Sequence, residues 1–349
     1  MVKPHEYLNA NVALRRAVGA GVDELLAPHE LGAGEHNRNY WFEVPSSGRR
    51  FVLRVNVTAQ PFHDNQVAYE FGALECLGPS GRTPRAVYLD DSESAPGLGA
   101  LVIGYCEGDE LDFDNLRPGD LRCAAQLMAD VHAVPVGEGC PMHRPADPLR
   151  ELFDECMKRF EVYRASSNED ARVTKWAQRF IGAARPLLDV PCRSSDCTHI
   201  VNTETLPSHF LIPEASAASA AKAPVQGGRF CDNPGAFIDW ERPIIGEVAQ
   251  DVAYFVSPTT TFWDSDFLFP AGEIDAFVDD YWRAVDGRFA RGNFDERFRA
   301  YLVMTALRSV TWCCRALATG HNRQKTSEKL PVYLSDDFMQ MLADRCFNL

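Results

Sequence analysis

His199-Ile-Val-Asn-Thr-Glu-Thr-Leu-Pro-Ser-His-Phe-Leu-Ile212 and, further along, Phe237-Ile-Asp-Trp-Glu-Arg-Pro243 are the two stretches on which the reading of this chain turns. Each sets an acidic residue just beyond an apolar, strand-like run: Glu204 after Ile200-Val201, and Asp239 after Phe237-Ile238. A carboxylate so placed sits at the end of a buried strand. Two of them suit a base or orienting group paired with a metal ligand, the combination that phosphoryl transfer from a nucleotide requires.

Outward from these segments the chain changes character once. Before Tyr105 it is strand-rich. Tyr40–Val44 and Arg50–Val55 read as strands joined by the turn Pro45-Ser-Ser-Gly48, and Arg85–Leu89 and Ala100–Tyr105 as two more. Val67, Phe71, Leu74 and Leu77 recur at helical spacing, which predicts a helix from Asn65 to Leu77, stopped by Gly78-Pro79. After Tyr105 helices dominate: Pro118–Val134 with the proline in its first turn, Leu149–Tyr163, Ala171–Arg185, Ile274–Val285 and Phe294–Ala318. The stretch 213–235, rich in Ala, Ser and Gly, reads as a flexible insertion. Ser257-Pro-Thr-Thr-Thr-Phe-Trp263 reads as a Thr-rich loop. The expected organisation is a strand-rich unit over 1–105 and a larger, mostly helical one over 106–349.

Composition narrows the function classes. A net charge of −14 without any lysine- or arginine-rich block argues against nucleic acid as a partner, because phosphate backbones need clustered cations. The opening Met1-Val-Lys-Pro-His-Glu-Tyr7 has no apolar signal-peptide core. No run approaches the ~18 apolar residues of a membrane span, so a cytoplasmic location without membrane contact is expected. Eleven cysteines, an odd number without paired short spacings, read as reduced thiols.

The order of these segments resembles that of the aminoglycoside phosphotransferase and choline kinase group over roughly residues 25 to 320. Gly32-Ala-Gly-Glu-His-Asn-Arg-Asn-Tyr40 stands at the nucleotide loop, and Val52-Leu-Arg-Val55 at the strand with the phosphate-binding cation. Tyr69-Glu-Phe71 stands at that cation's helix partner, and Ile238-Asp-Trp-Glu241 at the metal motif. The resemblance implies an α+β, two-lobed protein-kinase-like fold: a small antiparallel-sheet N-lobe with one main helix, and a larger, mostly helical C-lobe. It implies an ATP- or GTP-dependent kinase acting on a hydroxyl of a small polar acceptor, with magnesium, or manganese as the alternative. The acidic surface makes a cationic acceptor slightly more attractive.

Carried over residue by residue, the resemblance makes Glu204 the group that orients or deprotonates the acceptor, and Asp239 a metal ligand. Arg54 binds phosphate with Glu70 as its partner; Gly32, Gly34, Asn37 and Asn39 surround the phosphates; Asn202 and Asp251 support the loop. Strand alternation puts Val52 and Arg54 on one face, without saying which face lines the site. The chain departs from the family's His-Gly-Asp loop, having Asn202-Thr203-Glu204, and has His209 where an asparagine helps bind magnesium. An imidazole is a poor direct magnesium ligand, so contact to phosphate, metal binding through water and weakened metal binding all stay open for His209. A catalytically silent pseudokinase or ligand-binding protein is the rival reading these departures favour.

Overall fold

The computed structural model describes residues 3–34, 36–59, 64–92, 94–193, 195–222, 229–270, 272–320 and 323–349. The fold is α+β and divides into two compact units, each assembled from separated pieces of chain. One gathers Met1–Glu110, Pro118–His143 and His209–Pro243; the other gathers Leu111–Arg117, Arg144–Ser208 and Ile244–Leu349.

The first unit is built on β1 (His29–Ala33), β2 (Asn37–Val44), β3 (Arg49–Asn56), β4 (Ala86–Asp90) and β5 (Ala100–Gly104). They form an antiparallel sheet in the order β1-β2-β3-β5-β4. β2 and β3 are the hairpin expected from their aromatic and β-branched runs, and β1 is an additional strand. Two N-terminal helices that periodicity did not reveal, α1 (Pro4–Ala10) and α2 (Val12–Val18), bury Leu8, Leu14 and Val18 in one core with Leu53 and Val55 of β3. Alternation therefore turns Arg54 to the other face, where Glu70 of α3 (Gln66–Leu77) meets it. Asn65 caps α3, its Oδ1 accepting from the Ala68 N–H at 3.0 Å.

The rest of this unit places the second acidic segment. α4 (Asp120–His132) starts two residues later than the proline suggests. Gly119 intervenes at φ 98°, where a Cβ would lie 2.3 Å from the Ala217 carbonyl oxygen on α7 (Glu214–Ala220). β6 (Asp109–Glu110), β8 (Phe210–Ile212) and β9 (Ala236–Phe237) form a small antiparallel sheet in the order β6-β8-β9. The segment 213–235 differs from a flexible insertion wherever it is described. It carries α7, and Gln126 of α4 accepts from the Phe230 and Cys231 N–H groups while donating to the Cys231 carbonyl. Residues 223–228 lie outside the described residues.

In the second unit β7 (His199–Val201) pairs antiparallel with β10 (Ile244–Gly246). Helices make up the remainder: α5 (Pro148–Arg164), α6 (Ala171–Ala184), α8 (Val248–Val256), α9 (Pro258–Asp264), α10 (Glu273–Val285), α11 (Phe294–Thr319), α12 (Gln324–Tyr333) and α13 (Asp336–Leu342). α11 is the hub, packing on α5, α6 and α8. The Thr-rich stretch is the helix α9 rather than a loop; its proline stands in the first turn, where no N–H is required. Trp263 packs edge-on against Trp312 and Tyr333. Among the described residues, no helix is long and apolar enough to cross a membrane.

Candidate active site

Within the first unit, pairing of β8 with β9 opposes Phe210 to Phe237, and the Ile238 N–H donates to the His209 carbonyl at 2.8 Å. The residue just before β8 and the turn just after β9 are thereby neighbours. His209 Nε2 lies 3.3 Å from Asp239 Oδ2. Asp239 adopts φ 62°, a left-handed conformation that costs a non-glycine residue energy and recurs at functional sites. Trp240 anchors the turn from behind, fully buried with its Nε1 donating to the Phe237 carbonyl at 2.9 Å.

Arg54 reaches this turn from β3. Its Nη2 donates to Asp239 Oδ1 at 2.9 Å and to Glu241 Oε1, and its Nε lies 3.1 Å from Glu70 Oε2. Asn37 Nδ2 donates to the same Glu241 oxygen at 2.5 Å. Gln66 Nε2 donates to the Glu241 carbonyl at 2.6 Å and the Tyr69 hydroxyl to the Pro243 carbonyl at 2.5 Å, so α3 holds the turn as well as supplying Glu70. Burial works against the Arg54 charge, but Glu70, Asp239 and Glu241 outweigh it and raise its pKa. Burial pushes the Glu70 carboxyl up to about 8 against the pull of Arg54, with Glu241 and Asp239 adding to the rise. Among the described residues, one guanidinium thus faces three carboxyl groups, with Asp239 and Glu241 the more exposed of them.

Asp239 and Glu241 keep 32% and 22% of their side-chain surface exposed, enough for a cation to approach from solvent. The oxygen donors suit a divalent ion, and the imidazole adds a nitrogen. Asn39 stands opposite Arg54 in the β2–β3 ladder, its buried Oδ1 without a hydrogen-bond partner among the described residues. Gly32 and Gly34 lie at the β1–β2 hairpin, where the Gly34 N–H donates to the Asn37 carbonyl at 3.0 Å. Neither takes a positive φ, and a Cβ at Gly32 would meet nothing within 4 Å among the described residues.

The other acidic segment lies in the second unit. β7 delivers Asn202, Thr203 and Glu204 to the fully buried Asp251 of α8, whose carboxylate accepts from the Asn202 and Thr203 N–H groups at 2.7 and 2.8 Å. The Thr205 hydroxyl donates to the Asp251 carbonyl at 2.9 Å, and Asn202 Oδ1 accepts from the Glu204 N–H at 3.1 Å. Thr203 sits at φ 70°. Arg308 of α11 completes the loop: Nη1 donates to the Thr203 carbonyl at 2.8 Å, Nη2 to Glu204 Oε1, and the guanidinium lies over the Tyr254 ring. Burial opposes the Arg308 charge, and Glu204 foremost among its neighbours overcomes this and raises its pKa.

Arg54, Glu70, Asn37, His209 and Asp239 therefore form one cluster, and Asn202, Glu204 and Asp251 another. Two participants lay outside the sequence reading. Glu241 had a signal, standing two residues after Asp239 in the same motif. Arg308 had none, being one of several arginines on a long helix.

The family model described as the phosphotransferase enzyme family matches residues 29–195. Among curated proteins, none matches the chain significantly in sequence. Among solved structures the chain is similar to a putative aminoglycoside phosphotransferase from Ralstonia eutropha, with 13% identity, TM-score 0.66, and coverage of 97% of this chain and 98% of that one. It is also similar to choline kinase from Cryptosporidium parvum, at 13% identity and TM-score 0.60, covering 92% and 90%. A spectinomycin phosphotransferase in complex with ADP and spectinomycin aligns at 9% identity and TM-score 0.59, covering 93% of each chain. The resemblance to the aminoglycoside phosphotransferase and choline kinase group holds, and the fold is theirs.

Proposed function

We propose that this protein is a phosphotransferase that moves the γ-phosphoryl group of ATP or GTP to a hydroxyl of a small polar acceptor. The observation that carries this reading is the buried Arg54 facing Glu70, Asp239 and Glu241, contributed by β3, α3 and the turn after β9. The family match and the structural likenesses support small-molecule phosphotransfer at this coarse level.

Asp239 and His209 would hold magnesium or manganese, and the ion would neutralise charge on the phosphates during transfer. Arg54 binds phosphate oxygens with its planar fork, while Asn37, Asn39 and the backbone around Gly32 and Gly34 add donors. Glu204 orients the acceptor hydroxyl and receives its proton. Asp251 and Asn202 hold the loop backbone, and Arg308 fixes where the Glu204 carboxylate points. Positioning and charge neutralisation supply most of the catalysis, because phosphoryl transfer asks for little covalent chemistry from the protein. The acidic surface suits a cationic acceptor.

A second reading, a catalytically silent nucleotide-binding protein, is favoured by one observation: the Glu204 carboxylate is already engaged by Arg308. Thermal unfolding with ATP or GTP, with and without magnesium or manganese, tests both readings. The expected result is a metal-dependent rise in Tm that Asp239→Asn abolishes. No rise with any nucleotide would remove both. Binding without a phosphorylated product across a mass-spectrometric acceptor library would favour the silent protein.

A further inference from the structure

All eleven cysteines are free thiols, but one pair stands apart. Cys192 and Cys197, ahead of β7, bring their Sγ atoms within 3.1 Å of each other. Described residues beside the two cysteines are pinned from α11 and its N-cap. Asp196 Oδ2 accepts from the Asn293 N–H at 3.1 Å, Asn293 Nδ2 donates to the Pro191 carbonyl at 3.2 Å, and Arg297 Nη1 donates to the Val190 carbonyl at 3.0 Å. The two sulfurs are thus held face to face by contacts independent of them, and closing to a bond of ~2.05 Å asks for a movement of about 1 Å.

The Glu247 carboxylate lies with both sulfurs inside a 4.8 Å cluster, a donor set that invites comparison with a metal site. Its oxygens are already committed. Arg297 Nε donates to both of them at 2.8 and 3.0 Å, and the Tyr301 hydroxyl donates to Oε2 at 2.6 Å. A cation placed there would also meet the Arg297 guanidinium. Thiol chemistry is what remains open to the pair.

We propose that Cys192 and Cys197 are an oxidative modification site, converted by hydrogen peroxide to an intrachain disulfide through a sulfenic acid on Cys192. Cys192 is partly exposed, whereas Cys197 is buried. Burial raises both thiol pKa values; the sulfur–sulfur hydrogen bond, which either thiol can donate, offsets part of the rise at Cys192 and adds to it at Cys197, which leaves Cys192 the better thiolate of the two. The Cys192 thiolate attacks one peroxide oxygen; the O–O bond breaks, and the departing hydroxide takes up a proton as water. The Cys197 sulfur then attacks the Cys192 sulfenic sulfur, forming the S–S bond and expelling hydroxide, which leaves as water with the Cys197 proton. Two thiols are oxidised by two electrons and one peroxide is reduced to two waters. The disulfide tethers the chain two residues before β7, the strand that leads to Asn202 and Glu204.

The full-length chain is treated with hydrogen peroxide, quenched with catalase, alkylated under denaturing conditions and digested with trypsin without reduction. Cleavage after Arg193 separates the two cysteines, so the expected product is a pair of peptides joined through Cys192 and Cys197. It should carry two hydrogens fewer than the sum of the peptides, and dithiothreitol should reverse it. Cys197→Ser should trap a dimedone-reactive sulfenic acid on Cys192, and Cys192→Ser should leave Cys197 unlabelled. Persistence of both thiols at doses that oxidise the half-buried Met157 and Met341 would overturn the proposal. So would oxidation of wild-type Cys192 to sulfinic acid without a cross-link, a readout that does not depend on either variant folding.

Discussion

His209 presents Nε2 to the Asp239 carboxylate at 3.3 Å, where the family resemblance leads one to expect an amide oxygen. Magnesium favours oxygen donors and keeps its waters, whereas manganese accepts imidazole more readily. His209→Asn should therefore shift metal preference toward magnesium by roughly tenfold, the lower end of what changes around a metal ligand produce. Calorimetric titration with nucleotide and each metal reads the ratio, and the Mn(II) paramagnetic resonance spectrum reports nitrogen coordination directly. Identical metal ratios in the two proteins would show that the imidazole takes no part. Arg308 invites a different test. Arg308→Lys keeps the charge but not the fork that serves Thr203 and Glu204 together, and should cost about 1–3 kcal/mol, with faster hydrogen exchange at the Thr203 and Glu204 amides. The placement of Asp239 and Glu204 just beyond short strands was legible in the sequence because an acid after a short apolar strand is a local pattern. Arg308 was not, because which carbonyl a helical arginine meets depends on packing over more than a hundred residues.

At the scale of elements, legibility followed periodicity. The β2–β3 hairpin and α3, α5, α6, α10 and α11 carry long alternating or helical patterns and were found within a few residues. α1, α2, α7 and α9 span seven residues each, too short for a repeat to declare itself. The missing α1 and α2 had a consequence, because the apolar face they cover decides which side of β3 carries Arg54. α1 is joined to β4 by the Tyr7 hydroxyl, which donates to Asp90 Oδ2 at 2.7 Å. Burial alone would lift the Asp90 pKa, but hydrogen bonds from Ser92 and Tyr7 outweigh it and hold the carboxyl below 3.8. A carboxylate depressed in the folded state contributes stability that is full above its unfolded pKa and is lost as pH falls through the folded value. Tyr7→Phe should therefore lower stability by about 1 kcal/mol at neutral pH, and the deficit should shrink as pH drops below 3.8. Denaturant unfolding of both proteins at neutral pH and near pH 3 measures this; a deficit independent of pH would mean that lost packing dominates.

On the scale of the molecule, the order of motifs along the chain was readable, while the way distant segments assemble was not. Each compact unit gathers three stretches separated by between 7 and 65 residues, and the contacts that join them involve charges that look unremarkable in sequence. The second unit shows this most clearly. Arg297 of α11, 1% exposed, donates to Glu247 ahead of α8, to Asp147 at the start of α5 at 3.1 Å and to the Val190 carbonyl at 3.0 Å. Tyr301, one turn further along α11, donates to Glu247 as well. A single side chain so joins four segments, and its burial raises the stakes, because removing one partner leaves the Glu247 charge unpaired. Truncation of such a pair costs about 3–5 kcal/mol, whereas replacing both partners with apolar groups of similar size is often neutral. Arg297→Met alone should therefore destabilise the chain by about that much. Arg297→Met combined with Glu247→Leu should recover a substantial part of the loss, with the Tyr301 hydroxyl, the Val190 carbonyl and Asp147 each still missing one partner. A double-mutant cycle by denaturant unfolding measures the coupling, and strict additivity of the two changes would show that the network does not hold these segments together as a unit.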